Sequence, residues 1–239
     1  GRASMEYLDK AMELLKKKEI DCLVTGPISK EAIHKAGFKV SGHTEYLSKK
    51  AGSKDAVMML INRDLRFSLV TRHIPLALVA KALNRKSLEK TILMTHEALE
   101  KTFSIENPRI AVCGINPHAS DNGIIGTEEN RIIKPLLRKL RKKVKGLEGP
   151  FSADVAISRA YHKSYDAVVA IYHDQALIPL KLLRKNLGVN MTLGLGFVRT
   201  SPLHGTAFDI AGDFKKADPT SLLEAIRLCI KCALNQKKD

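Results

Sequence analysis

The sequence predicts an α/β protein built on a largely parallel sheet, and two observations carry that expectation. Short apolar runs that end in turn residues alternate with longer stretches whose apolar residues recur every three or four positions. Such alternation is the pattern of strand–helix–strand units. The composition permits it: 239 residues with 44% hydrophobic and 27% charged side chains can bury a core, and they exclude bulk disorder and collagen-like repeats.

The elements follow in order. Met5, Leu8, Ala11, Met12 and Leu15 sit at helical spacing and predict a first helix. The apolar run 20–24 is too short for a helix and closes on Thr25-Gly26-Pro27, so it reads as a buried strand. Ser29 can cap a short helix that stops before Gly37, and Thr44 another that closes near Gly52. The runs 56–61, 67–70, 110–115 and 167–172 predict further strands. Helical patterns occupy 87–103, 128–144 and 221–234. No Pro/Gly/Ser-rich linker or internal repeat separates two autonomous halves. Two domains would therefore require the chain to cross between them more than once; a single doubly wound domain is the alternative.

Forty Lys and Arg against 25 Asp and Glu leave a formal charge of +15. The basic runs at 16–18, 138–145 and 237–238 fall on predicted helices or their ends and read as solvated faces. Aromatics are 5% and do not interleave with those runs, so no stacking platform for single strands exists. Zinc-finger, RNA-recognition and zipper signatures are absent, which argues against nucleic acid as the partner. Positive potential suits an anionic small substrate or cofactor equally well. No uncharged apolar run approaches ~18 residues, so no transmembrane helix is expected. Four cysteines make no disulfide scaffold, and Cys229-Ile230-Lys231-Cys232 reads as two semi-buried thiols on a helix. The first residues, Gly1-Arg2-Ala3-Ser4, lack an apolar signal region, so the cytoplasm is the expected location. Neither a Gly-x-Gly-x-x-Gly dinucleotide fingerprint nor a Gly-x-Ser-x-Gly nucleophile elbow occurs.

In open α/β sheets ligands bind at the carboxyl ends of strands. Here those loops hold Thr71-Arg72-His73, Asn116-Pro117-His118-Ala119-Ser120-Asp121 and Tyr172-His173-Asp174-Gln175. Three histidines past three strands could offer neutral imidazoles to a divalent metal and leave positions open for substrate. The alternative is three hydrogen-bonding loop residues. Asp121 and Asp174 could orient such imidazoles or cap helices. Lys181, Asn190 and Arg199, with the helix start at Gly42-His43-Thr44, provide cations and free N–H groups adequate for a phosphate or carboxylate; surface salt bridging is the alternative. The stretch from His204 to Gly212 reads as a Gly-bounded turn leading into a helix.

Five segments in one order then resemble the 4-hydroxythreonine-4-phosphate dehydrogenase family. They are Val24-Thr25-Gly26-Pro27-Ile28-Ser29-Lys30, Gly42-His43-Thr44-Glu45-Tyr46-Leu47, Asn116-Pro117-His118, Tyr172-His173-Asp174-Gln175 and Gly188-Val189-Asn190-Met191-Thr192-Leu193-Gly194. The resemblance runs from about residue 4 to residue 234. It implies two α/β/α domains with mainly parallel sheets, like the isocitrate and isopropylmalate dehydrogenases. The first domain would comprise 1–35 and 206–239, and the second 36–205. It implies a homodimer with active sites at the subunit interface. His73, His118 and His173 match the family's divalent metal ligands, one of them donated across the dimer. His43, Thr44, Lys181, Asn190 and Arg199 match its substrate-binding positions. His204-Gly205-Thr206-Ala207-Phe208-Asp209-Ile210-Ala211-Gly212 is similar to a stretch beside the dinucleotide in the isocitrate-type relatives, which implies cofactor contacts for His204, Gly205 and Thr206.

Two departures accompany it. Family members carry about a further quarter of chain at the N-terminus, so this sequence is expected to be a piece of a longer protein. The loop Asn122-Gly123-Ile124-Ile125-Gly126 departs from the commoner Glu-Gly-Gly pattern and leaves the close specificity open. The activity implied is oxidation of 4-hydroxythreonine 4-phosphate with NAD or NADP and a divalent metal, zinc first, with magnesium or cobalt as alternatives. The keto acid would then lose CO₂ to give 3-amino-2-oxopropyl phosphate, in pyridoxal phosphate biosynthesis. Lys181, Asp154 and Asp174 are the candidate bases. A sister enzyme acting on threonate or erythronate phosphate is the second reading, and a non-enzymatic or nucleic-acid-binding protein built on the fold the third.

Overall fold

The computed structural model describes residues 1–40, 42–183 and 187–237; Lys238 of the C-terminal basic run lies outside them. Along the chain run α1 (Arg2–Lys16), β1 (Cys22–Val24), α2 (Lys30–Lys35), α3 (His43–Lys50), β2 (Val57–Asn62), β3 (Leu65–Leu69), α4 (Val79–Ala82) and α5 (Arg85–Glu97). After them come β4 (Ile110–Cys113), α6 (Lys134–Leu140), β5 (Leu147–Phe151), α7 (Ala153–Tyr161), β6 (Ala167–Ala170), α8 (His173–Leu183), β7 (Val189–Leu193), β8 (Val198–Pro202) and α9 (Thr220–Gln236). The chain forms two compact units, Gly1–Ala56 with Asn186–Asp239 and the continuous Val57–Lys185. Residues 36–56 and 186–205, expected in the second domain, thus pack with the first. The reason is local: Tyr46 and Leu47 of α3 join the core of α1, and β7 and β8 extend the sheet from β1.

In the discontinuous unit β8 pairs in parallel with β1 and antiparallel with β7. Met5, Leu8 and Met12 of α1 bury against Leu23, Ile33, Tyr46, Leu47 and Leu195. Helix α9 covers other ground: the Thr200 hydroxyl donates to Ala225 O at 2.8 Å, and Cys229 Sγ lies 3.6 Å from Leu23 O. Ser29 caps α2 as expected, its Oγ accepting from Ala32 N at 3.1 Å, and Gly37 (φ +90°) ends it. Thr44 does not cap α3. The helix begins one residue earlier, after Gly42 at φ +150°, which lets the chain turn in without a side-chain cap.

In the continuous unit the strand order is β2-β3-β6-β4-β5. The β2–β3 pair is an antiparallel hairpin, and every later pairing is parallel. β4 and β6 are buried at each position, as expected of central strands covered on both faces. Two expected helices differ in detail. The 87–103 segment is α-helical to Glu97, capped by Asn84 Oδ1 on Ser87 N (2.9 Å), and then widens into a π turn at Ala98–Thr102. The 128–144 segment opens as a π turn at Glu129–Ile133 and is α-helical only to Leu140, with Pro135 in its first turn.

All four cysteines are free. Cys229 and Cys232 are fully buried rather than semi-buried, because α9 turns that face onto the sheet. Burial pushes the thiols of Cys113 and Cys229 up to about 12. Among the described residues no helix is long and apolar enough to cross a membrane.

Candidate active site

The parallel order β3-β6-β4 sets the carboxyl ends of three strands side by side on one edge. His73 follows β3, His173 opens α8 after β6, and His118 follows β4. Neighbouring strands stand about 4.8 Å apart, so the His73 and His173 loops are adjacent and His118 lies one strand beyond. Pairing continues past the strand ends, where Val70 N and Thr71 N donate to Ala170 O and Ile171 O, both at 3.0 Å. The Thr71 hydroxyl donates to Ile171 O as well, at 2.7 Å. The His73 and His173 rings consequently meet, with centroids 5.7 Å apart at 52°. His173 Nδ1 is 2.6 Å from Asp174 Oδ1, which fixes the ring and leaves Nε2 for a different partner.

The histidines are thus brought together as a pair. Among the described residues no three His, Cys, Asp or Glu side chains form a group that could hold a metal ion. His118 instead lies close enough to Asp154 to lower its pKa. The donor chemistry of His73 and His173 fits two ligand positions of a divalent ion; this chain does not add His118 to them.

Gln175 fastens the β6 loop to the end of β4. Its Oε1 accepts from Ile171 N and its Nε2 donates to Gly114 O, both at 2.8 Å and both buried. Gln175→Leu strands both backbone groups and is expected to destabilise the protein by about 2–4 kcal/mol in urea unfolding. An unchanged urea midpoint would show that the two bonds hold nothing.

His118 rides on an unusual backbone. His118, Ala119, Ser120, Asp121 and Asn122 all have φ between +42° and +71°, a left-handed turn that L-residues avoid at a cost of about 1–2 kcal/mol each. The offset comes from Glu129, a fully buried carboxylate in the π turn. It accepts from Ile115 N and Asn116 N at 2.8 Å and from Asn116 Nδ2 at 2.9 Å. Asn130 Nδ2 donates to Asn122 O at 3.0 Å. Gly114 makes room for the turn: a Cβ there would lie 2.9 Å from Ala119 Cα and from Glu129 Oε1.

In the discontinuous unit the register collects a second set. Leu23 pairs with Arg199 and Asn190 with Ser201. Side chains alternate along strands, so Arg199, Thr192, Asn190 and Thr25 share one face of the sheet. Arg199 is 1% exposed, donates to the Thr25 hydroxyl and, at 3.1 Å, to Thr192 Oγ1, and keeps Nε without a partner. Among the described residues no carboxylate pairs with it, and burial lowers its pKa to about 10. Asn190 Oδ1 is likewise buried without a partner. His43 faces this group from the start of α3. Burial, with Arg199 nearby, lowers its pKa to about 4, so its ring is neutral at pH 7. Two hydroxyls, a carboxamide, a neutral imidazole and a fixed guanidinium make a receptor for an anion.

The depressed His43 pKa has a pH consequence. The unfolded imidazole takes its proton near 6.5 and the folded one only near 4. Between those values the unfolded state binds more protons, so acid favours unfolding. Relative to a His43→Gln chain, the protein is expected to lose roughly 2 kcal/mol between pH 7 and pH 4, after discounting for partial exposure. Parallel stability–pH curves for the two chains would contradict it.

The remaining candidates are placed as follows. Lys181 is exposed in α8 of the continuous unit. Asp154 accepts the Ser152 hydroxyl at 2.5 Å and is held below the usual carboxylate range, mainly by that bond. Thr44 lies in the first turn of α3. His204, Gly205 and Thr206 form a loop after β8, with His204 Nδ1 2.9 Å from Gly205 O. Sequence reading missed Glu129, Thr25 and Thr192; strand register after Arg199 would have found the two threonines.

Known proteins match this chain over nearly its whole length. The family described as pyridoxal phosphate biosynthetic protein PdxA matches residues 1–229. The 4-hydroxythreonine-4-phosphate dehydrogenase of Sulfurihydrogenibium sp. is 45% identical over 230 residues, covering 96% of this chain and 70% of that protein. The crystal structure of 4-hydroxythreonine-4-phosphate dehydrogenase from Klebsiella pneumoniae superposes with a TM-score of 0.85 at 39% identity, over 94% of this chain and 68% of that one. Isocitrate dehydrogenase from Methylococcus capsulatus shares the fold at 13% identity, with a TM-score of 0.53 over 94% of this chain and 71% of that one.

Proposed function

The chain belongs to the PdxA family of pyridoxal phosphate biosynthetic proteins, and from that premise we propose that it is the NAD-dependent dehydrogenase that oxidises 4-hydroxythreonine 4-phosphate. The observation that carries the reading is the buried Arg199, whose guanidinium has only neutral partners from its own unit. A phosphate there would gain charge-assisted bonds from Arg199 and hydrogen bonds from Thr25, Asn190 and neutral His43. A neutral His43 contributes without adding a second buried cation. The N–H groups that open α3 at Thr44 favour the same anion.

A divalent metal, zinc first among the candidates with magnesium and cobalt, would be held by His73 and His173, with His118 supplied across a homodimer. When bound it would lower the pKa of the substrate hydroxyl. NAD, or NADP, would accept the hydride, with His204, Gly205 and Thr206 against it. The proton leaves to a protein base. Asp154 is the poorest of the three candidates because Ser152 stabilises its ionised form, and Asp174 is engaged with His173; Lys181, exposed in α8, would accept the proton only as its neutral amine. Loss of hydride and proton gives 2-amino-3-oxo-4-phosphooxybutyrate, a β-keto acid that loses CO₂ to leave 3-amino-2-oxopropyl phosphate. The threonate or erythronate phosphate reading has no observation that favours it.

The test is NADH formation from 4-hydroxythreonine 4-phosphate with zinc, magnesium or cobalt added, beside threonate and erythronate 4-phosphates. The first substrate is expected to be turned over best. His173→Ala is expected to remain folded while losing bound metal and turnover together. Faster turnover of either sugar-acid phosphate would overturn the substrate, and undiminished metal content in His173→Ala would overturn the metal role.

A further inference from the structure

The excess of positive charge has a place in the fold that the dehydrogenase reading does not use. Between Arg131 and Lys145 the chain carries eight Lys and Arg and no Asp or Glu. Part of this run lines a cavity of about 550 Å³ in the continuous unit, together with Asn130, Gly149 and Pro150. Lys134, Arg138 and Arg141 stand at i, i+4 and i+7 and therefore point to one side of α6 and its end. Among the described residues no carboxylate lines the cavity. Arg141 is fixed in place, its Nε donating to Leu147 O at 3.1 Å and its Nη2 to Gly149 O at 2.9 Å. Those two bonds orient the guanidinium plane. Lys139, one residue from Arg138, turns elsewhere and pairs with Glu89 at 3.1 Å.

We propose that this cavity is a second anion site, distinct from the Arg199 receptor, that takes a small compound carrying a pyrophosphate group. Three converging cations match its charge, and arginine forks bind phosphoryl oxygens in pairs. A polynucleotide fits less well, because among the described residues no aromatic side chain lines the cavity for a base to stack on. Asn130, which lines the cavity, also holds Asn122 O of the left-handed turn. A ligand there would touch the brace of the His118 loop.

Pyrophosphate itself is the probe. Lysine acetylation followed by mass spectrometry is expected to show saturable protection of Lys134, with Lys142 and Lys143 still reactive. Calorimetry is expected to find binding weakened at least about tenfold in Lys134→Ser/Arg138→Ser. Lys142→Ser/Lys143→Ser, which removes the same charge outside the cavity lining, should change it less than about twofold. Equal weakening in both double variants, equal protection of all three lysines, or binding of RNA without binding of pyrophosphate would each overturn the site. Folding of the double variants is read from their circular dichroism. A site that vanishes only with the fold would also count against the proposal.

Discussion

An Arg199→Met chain is expected to lose about 10²- to 10³-fold in kcat/KM for the phosphorylated substrate, because it removes the one charge in a buried receptor. The same substitution should leave the ligand-free protein as stable as before, or more so. A buried guanidinium held by two neutral hydroxyls is costly to desolvate, as its lowered pKa records, and an apolar side chain of similar volume relieves that cost. The two outcomes together separate a binding role from a structural one. Unphosphorylated 4-hydroxythreonine sharpens the test, since its slow turnover should hardly change. A destabilised Arg199→Met chain that retained its kcat/KM would make Arg199 a structural residue.

Glu129→Ala is expected to destabilise the protein by about 3–5 kcal/mol and to abolish turnover with it. The carboxylate is fully buried and takes three hydrogen bonds from Ile115 and Asn116. Removing it strands three donors beside a turn that is already costly. Glu129→Gln presents an amide N–H₂ to one side of the same donors and should recover only part of the loss. Urea unfolding gives the magnitude, and backbone amide exchange at residues 115–125 shows whether the turn opens first. Wild-type exchange in that segment would mean that Glu129 does not hold it.

The fold and the candidate site were legible to different depths. The strands that end at Leu69, Cys113 and Ala170 were readable because each is an apolar run closed by polar loop residues. A parallel sheet puts the loops after its strands on one edge, so the three histidine loops could be expected there, but not the order β3-β6-β4 that makes His73 and His173 neighbours. The two arms of the β2–β3 hairpin were readable as separate apolar runs, but not as an antiparallel pair, because Arg63 and Asp64 are not the Asn-Gly or Asp-Gly pair that announces such turns. The left-handed turn could not be read at all: Ala119 and Ser120 have no preference for positive φ, and Glu129, fourteen residues after Ile115, imposes it by tertiary bonding. For the same reason His118 could be assigned to an edge but not to a partner. Glu129 falls at the start of a stretch that reads simply as helical, and the structure buries it in a π turn.

One feature of the chain path bears on how the protein is made. Residues 57–185 form a unit that is continuous in sequence, whereas β1 finds its neighbour β8 about 175 residues later. Contacts so distant along the chain close slowly, because the loop entropy is spent before any pairing rewards it. On a ribosome the continuous unit has all of its strands as soon as α8 emerges, while β1 still waits for β8. Synthesis of α9, which covers β1 and β8, is then the committing event for the other unit. Nascent chains stalled before residue 220 should resist protease between 57 and 183 and be cut between 1 and 56.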